Sequence, residues 1–194
     1  MEIKKKIGIG LPSNRGIKPL TAKCLLEMVA SSNFDFSIIV ATEGYTIAEN
    51  RIYCAVQAIK NECDYLLFID DDMTFPPDLI DRLLAHKKDV VGVVYHSRNL
   101  KTNTTVVLED GQVLHSGNIP KEMMKCQHVG TGIMLIKTDV FGKIEEPWFK
   151  FLTYPNGVTL MGEDAYFCKQ AREKGIEIWC DPTLEIGHIG DYIY

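Results

Sequence analysis

Three consecutive carboxylates, Asp70, Asp71 and Asp72, follow the apolar run YLLFI (65–69) directly. Carboxylates this close repel one another. A hard divalent cation with oxygen ligands, Mg²⁺ or Mn²⁺, relieves that repulsion and can bridge them to substrate phosphates. The competing reading is a solvated acidic turn capping the helix beyond Pro76-Pro77, but a cap uses one carboxylate and that helix starts several residues later. A second acidic pair, Glu163-Asp164, follows Gly162 and opens the segment AYFCKQAREKG, which places both side chains at the positive end of a helix dipole. Charge complementation alone would explain that pair. The long preceding loop TYPNGVTLMG is sized to act as a lid, and in that context the pair suits proton abstraction from a hydroxyl.

His188 stands between Gly187 and Ile189, after an apolar strand and a Pro182 turn. A structural histidine and a metal ligand are both open there, and Gly187 and Gly190 permit close backbone approach. Arg51, on a helix that begins near Thr46, fits a phosphate partner and an ordinary helix-face charge equally well. The run Gly130-Thr131-Gly132 ahead of IMLI reads as a strand kink, as bare backbone against a substrate, or as both.

The elements that must position these residues are legible in the first half of the chain. Apolar runs IGIGL (7–11), FSIIVA (36–41), YLLFI (65–69) and VVGVVY (90–95) alternate with helix-period segments at 18–31, 46–61 and 77–86. Such β-α-β-α alternation predicts an α/β fold with a mainly parallel, buried sheet flanked by helices on both faces. Ligands in open sheets of this kind sit beyond the carboxyl ends of the strands, here Pro12–Arg15, Thr42–Glu43, Asp70–Asp72 and Tyr95–Arg98. In the second half, TTVVLEDGQVLHSG carries an Asp110-Gly111 turn between alternating runs, a small β-hairpin region. HVGTGIMLI is a glycine-interrupted apolar run, YPNG (154–157) a loop, 163–174 a helix ended by Gly175, and IEIWC (176–180) a strand.

Composition bounds the rest. The chain has 194 residues, and with 46% hydrophobic and 24% charged residues it has the makings of an ordinary globular core rather than a disordered segment. No repeat, low-complexity tract or linker divides it, so one domain over 1–194 is expected. A net charge of −5 offers no general attraction to nucleic acid or an anionic membrane. The six cysteines form no C-x-x-C pair, which argues for buried thiols over a zinc or redox motif. The opening MEIKKKIGIGLP is too short and glycine-broken for a signal peptide, and no apolar run approaches the roughly 18 residues of a transmembrane segment. The expectation is a cytoplasmic, reducing setting, with peripheral membrane contact open.

Taken in order, IGIGLPSNRG, YLLFIDDDMTFPPDLI with its D-x-D, VGTGIMLIKTDVF, PWF, GEDAYFCKQAREKGIEIWCDP and the late histidine of IGHIG resemble the GT-A glycosyltransferases. The likeness is to the family 2 group and its small bacterial and phage-borne relatives, and it covers most of the chain. It implies a single GT-A-like domain with a nucleotide-binding half (1–100) and an acceptor and catalytic half (101–194). The implied reaction moves a sugar from a nucleotide-diphosphate donor, a UDP- or GDP-sugar, to a hydroxyl acceptor, with inversion favoured. By the same resemblance Asp72 and His188 would hold Mn²⁺ or Mg²⁺, with Asp70 on the ribose or on the metal through water and Asp71 beside the nucleotide. Asp164 would be the base, and Glu163 a neighbouring acceptor-binding group. Pro12, Ser13, Thr42 and Glu43 occupy the strand ends that hold base and ribose, and Arg51 resembles a nucleotide-side arginine. Two departures stand out: the second strand ends in Ala41-Thr42-Glu43 rather than the frequent aspartate, and C-terminal extensions that often bind acceptor or membrane are not seen.

Rival readings come from other classes. Asp70-x-Asp72-x-Thr74 also fits the nucleophile loop of haloacid dehalogenase-type phosphatases, but that loop belongs on a chain's first strand, and no later G-D-x-x-x-D appears. The stretch from Arg15 to Thr21 echoes sugar-phosphate nucleotidyltransferases without their G-x-G-T-R loop. A non-catalytic, lectin-like or scaffolding protein with a degenerate site would not need D-x-D, E-D and His together.

Overall fold

The computed structural model describes residues 4–44, 46–96 and 103–190. The first half folds as its periodicity dictates, with strands β1 (Lys6–Pro12), β2 (Asp35–Ala41) and β3 (Tyr65–Ile69), a two-residue strand β4 (Met73–Thr74), and β5 (Val90–Val93). Helices α1 (Pro19–Ser31), α2 (Ile47–Lys60) and α3 (Leu79–Ala85) lie between them. Proline at the start of α1 sets the first helical φ. A capping box between Thr46 and Glu49 starts α2.

In the second half, β6 (Asn103–Leu108) and β7 (Val113–His115) form the hairpin expected around Asp110-Gly111, with Gly111 at φ 86°. The glycine-interrupted run becomes two strands, β8 (Met124–Val129) and β9 (Ile133–Lys137). The expected lid is itself a small hairpin of β10 (Leu152–Thr153) and β11 (Thr159–Met161). Helix α4 (Glu163–Glu173) gives way at Gly175, whose φ is 76°, to β12 (Ile178–Asp181), and β13 (Gly187–His188) follows.

Nine strands make the central sheet in the order β2-β1-β3-β9-β5-β12-β8-β6-β7. By their pairings β2, β1, β3, β5, β12 and β6 run one way and β9, β8 and β7 the other, so among the described residues the α/β class and mainly parallel sheet hold. The departure from simple β-α-β winding is β9, which is antiparallel to both β3 and β5. Its position follows from the break at Gly130-Thr131-Gly132: β8 pairs with β12 and β6, and the chain then turns inward between β3 and β5.

The two faces of the sheet carry separate cores. Leu66 and Phe68 of β3 pack with Cys54 and Ala58 of α2 and Phe167 of α4, whereas Leu67 and Ile69 pack with Met28 of α1 and Leu83 of α3. All four β3 residues have no exposed surface, and burying each stabilises the fold by about 1.5–3 kcal/mol. That apolar anchorage lets the strand present three carboxylates at its end. Five of the six cysteines are buried and all are free, and burial pushes the Cys54 and Cys126 thiols up to about 12. Among the described residues no helix is long and apolar enough to cross a membrane.

Candidate functional site

The acidic triplet splits into three environments as it leaves β3. Asp70 turns inward, its N–H donating to the Gly132 carbonyl at 2.8 Å and its carboxylate meeting Arg51 Nη2 at 3.0 Å. Asp71 ties down the loop after β1: Ser13 Oγ donates to its carboxylate at 2.5 Å, and the Lys18 N–H donates to its carbonyl at 2.8 Å. Ser13 also accepts from the Gly16 N–H, so this buried hydroxyl shapes the loop from within. Asp72 is 3% exposed and points at the late histidine.

His188 reaches that position because β13 pairs with β4, His188 opposite Met73 and Gly187 opposite Thr74. The Ile189 N–H donates to the Asp72 carbonyl at 2.8 Å and locks the register. A Cβ at 187 would meet the Thr74 hydroxyl, which would have to turn away to admit it, whereas Gly190 has open space around it. The ring of His188 has Nδ1 3.0 Å from the His96 carbonyl and Nε2 3.4 Å from Asp72 Oδ1. With Nδ1 at that carbonyl, Nε2 is the ring atom that faces Asp72. An imidazole nitrogen and a carboxylate oxygen set this close are both ligand types that a divalent cation takes. Tyr95 stacks edge-on against the same ring at 5.6 Å, and its hydroxyl accepts from the Gly132 N–H at 2.9 Å.

Arg51 is 3% exposed and faces neither solvent nor an open phosphate position. Its Nε lies 3.3 Å from Glu163 Oε1, its Nη1 donates to the Thr131 carbonyl at 3.4 Å, and its guanidinium sits over the Phe68 ring. Burial disfavours its charge, but Asp70 and Glu163 more than compensate and raise its pKa. Burial pushes both carboxyl groups up against the pull of Arg51. Two carboxylates here share one buried cation.

Asp164, beside Glu163, has its own partner. Its Oδ1 accepts from the Ala165 N–H at 2.7 Å, and its Oδ2 lies 3.3 Å from His128 Nε2 on β8. Burial alone would raise this carboxyl, but the hydrogen bond and charge of His128 outweigh it and hold Asp164 below the ordinary carboxylate range. The hairpin leading into α4 exposes Tyr154, Val158 and Leu160.

The remaining expected residues line clefts around this centre. Pro12 shares a cavity of about 330 Å³ with Asn14, Ile47 and the acidic triplet. Thr42 and Glu43 line a separate cavity of about 370 Å³ with Asn50 and Tyr53. The two are joined by Asn50, whose Nδ2 donates to Asn14 Oδ1 at 2.6 Å while its Oδ1 accepts from the Gly44 N–H. A third cavity, about 240 Å³, lies between Arg15, Lys18, Asp71, Asp72 and Ile189. Ser97 and Arg98 lie outside the described residues.

Thus Asp70, Arg51, Glu163 and Asp164 come together on one side, Asp72 and His188 on the other, with Tyr95 between. Sequence reasoning placed Asn14 and Tyr95 within strand-end ranges without giving either a role, and it missed His128 and Asn50. The asparagine at the end of β1 was visible as a strand-end residue, but nothing local marks His128. Among the described residues no group of three or more His, Cys, Asp and Glu side chains is disposed to hold a metal alone. Asp72 and His188 supply two ligands at most, and a phosphate-bearing ligand would have to supply others, the usual manner of Mg²⁺ binding.

No family model matches the sequence, and no curated protein matches it significantly. Solved structures do share the fold. The protein A197 from STIV is 19% identical over 96% of this chain and 86% of its own, with a TM-score of 0.68. A Bacillus anthracis protein described as a glucose-1-phosphate thymidylyltransferase, solved with sucrose, is 12% identical over 96% and 89%, with a TM-score of 0.52. The inositol-1-phosphate CTP transferase from T. maritima is 13% identical over the same shares, with a TM-score of 0.51. At these identities the likeness is one of fold.

Proposed function

We propose that this chain is a divalent-metal-dependent glycosyltransferase that moves a sugar from a nucleotide-diphosphate donor to a hydroxyl acceptor with inversion. The observation that carries the reading is the opposition of Asp72 and His188, which β13 brings to the end of β3. Mn²⁺ or Mg²⁺ would be held by those two side chains and by the donor's diphosphate. When bound, the cation offsets the negative charge that develops on the leaving diphosphate. The cleft of Pro12, Asn14, Ile47 and Asp70 would take the nucleoside. Asp164, kept ionised by His128, would accept the acceptor's hydroxyl proton as that oxygen bonds to the anomeric carbon and the carbon–phosphate oxygen bond breaks, its electron pair leaving with the diphosphate.

A second reading, a sugar-phosphate nucleotidyltransferase, is favoured by the fold likeness and by the β1 loop, whose Arg15 and Lys18 line a cavity with Asp71 and Asp72. One experiment separates them. The protein with Mn²⁺ is given UDP- and GDP-sugars in one series and nucleoside triphosphates with sugar 1-phosphates in another. Release of nucleoside diphosphate in the first series supports the glycosyltransferase; release of pyrophosphate in the second alone would replace it. Phosphate release from small monoesters alone would point to a phosphatase.

A further inference from the structure

Arg51 is the place where the two sides of the candidate site meet. Its guanidinium touches three segments distant in sequence: Asp70 at the end of β3, the Thr131 carbonyl in the β8–β9 break, and Glu163 in the first turn of α4. The Arg51 side chain is 4% exposed, whereas Asp70 is 29% and Glu163 11% exposed, so the guanidinium is closed off and the Asp70 side of the cluster is the one open to a ligand. Asp164 also acts on Arg51 electrostatically and is itself held by His128, while Asp71 and His188 act on Asp70 from the other side.

Two carboxylates, Glu163 buried and Asp70 part-exposed, compete for one buried guanidinium. Any ligand that draws Asp70 away, a ribose hydroxyl or a cation, weakens its claim on Arg51 and strengthens that of Glu163. Glu163 is covalently next to Asp164, so a firmer Arg51–Glu163 bond fixes the start of α4 and with it the carboxylate that would meet the acceptor. We infer that Arg51 is a positioning residue that couples occupancy of the donor side, through Asp70, to the order of the acceptor-side pair Glu163-Asp164. The inference rests on the donor and acceptor sides assigned above. Coupling between sites is reciprocal, so a change at either carboxylate must be felt at the other.

Amide hydrogen exchange read by mass spectrometry tests this in two arms. In the nucleotide-free protein, Asp70→Asn leaves Arg51 to Glu163 and is expected to slow exchange over residues 163–167, and Glu163→Gln leaves it to Asp70 and is expected to slow exchange over residues 70–72. Each change should be about fivefold or more, the lower end of typical coupling. Effects confined to the mutated segment overturn the coupling. Arg51→Lys keeps a charge but not the planar fork, and should instead speed exchange over both segments; if that variant fails to fold, the two carboxylate variants still decide. In the second arm UDP or GDP with Mn²⁺ is added. Protection at 70–74 that spreads to 163–167 in the natural protein, and loses the spread in Glu163→Gln, supports the coupling. Equal spread in both proteins overturns it, since an arginine that merely braces the fold would leave ligand-induced protection unchanged. If neither nucleotide protects 70–74, the functional reading fails, and the nucleotide-free arm still decides the coupling.

Discussion

Gly130→Ala should unsettle the centre of the site through Tyr95. A Cβ at 130 would lie 2.9 Å from Thr105 Cβ and 3.0 Å from Tyr95 Cζ, and closer still to the Tyr95 hydroxyl. The ring is 7% exposed and cannot simply swing into solvent. Overpacking of this kind costs about 1–3 kcal/mol. Displacing the hydroxyl also breaks its bond from the Gly132 N–H, worth about 1 kcal/mol, so the expected loss is about 2–4 kcal/mol. Tyr95→Phe alone loses only the hydrogen bond, about 1 kcal/mol. Together the two changes should cost about 1 kcal/mol or more less than their sum, because the atom nearest the new methyl is gone and the shared hydrogen bond is lost only once. Urea unfolding of the four proteins, with slopes compared to confirm the same transition, measures the cycle. Additivity within about 0.5 kcal/mol would refute the claim that the new methyl acts through the Tyr95 hydroxyl.

Other outcomes follow from the same geometry. Asp72→Ala and His188→Ala should each weaken Mn²⁺-dependent nucleoside diphosphate binding by about tenfold or more without loss of fold, and calorimetric titrations that match the unsubstituted protein in both variants would remove the metal assignment. Asp164→Asn should leave nucleotide affinity intact while transfer falls roughly 10²–10⁴-fold, measured on one preparation; normal transfer would exclude this residue as the base. His128→Gln removes the main influence holding the Asp164 carboxyl down, so the acid limb of the pH–rate profile should move to higher pH, and an unmoved limb would show that His128 does not set it. Away from the site, burial pushes Asp181 up, but Thr183 and His86 outweigh it and hold its carboxyl below the ordinary range. A depressed carboxyl contributes stability above its unfolded pKa of about 3.9, lost as pH falls through the folded value. Asp181→Asn should therefore cost about 1.5–3 kcal/mol at pH 7 and progressively less below about pH 4; a pH-independent cost in chemical denaturation would contradict this.

How far the chain discloses its fold depends on whether the determining contacts are local. The run YLLFI and its carboxylates form a strand and its exit because a continuous apolar run of strand length, buried on both faces, is written in consecutive residues. The Asp110-Gly111 and Gly175 turns are equally plain, since glycine there takes a positive φ. The antiparallel entry of β9 is not local: IMLI would suit a parallel strand as well, and only its neighbours β3 and β5 decide its direction. The site divides the same way. Residue type picks out Asp70 and Asp72 at a strand end and Asp164 at a helix start, but whether Arg51 faces a phosphate or a pair of carboxylates depends on Glu163, 112 positions away. His128 is one histidine in a strand until α4 lays Asp164 beside it.

The pairing of β13 with β4 also has an energetic meaning for the site. Those strands form a two-stranded ribbon of their own, outside the nine-stranded sheet. Detaching β13 thus breaks a few backbone bonds and leaves the main sheet paired, so this clasp belongs to the part of the molecule that opens locally at low free energy. A ligand that engages Asp72 and His188 at once binds only the closed clasp and draws that local equilibrium toward closure. Its signature would be slowed exchange at the Ile189 amide, while the melting temperature of the sheet beneath moves little when ligand concentration stays near its dissociation constant.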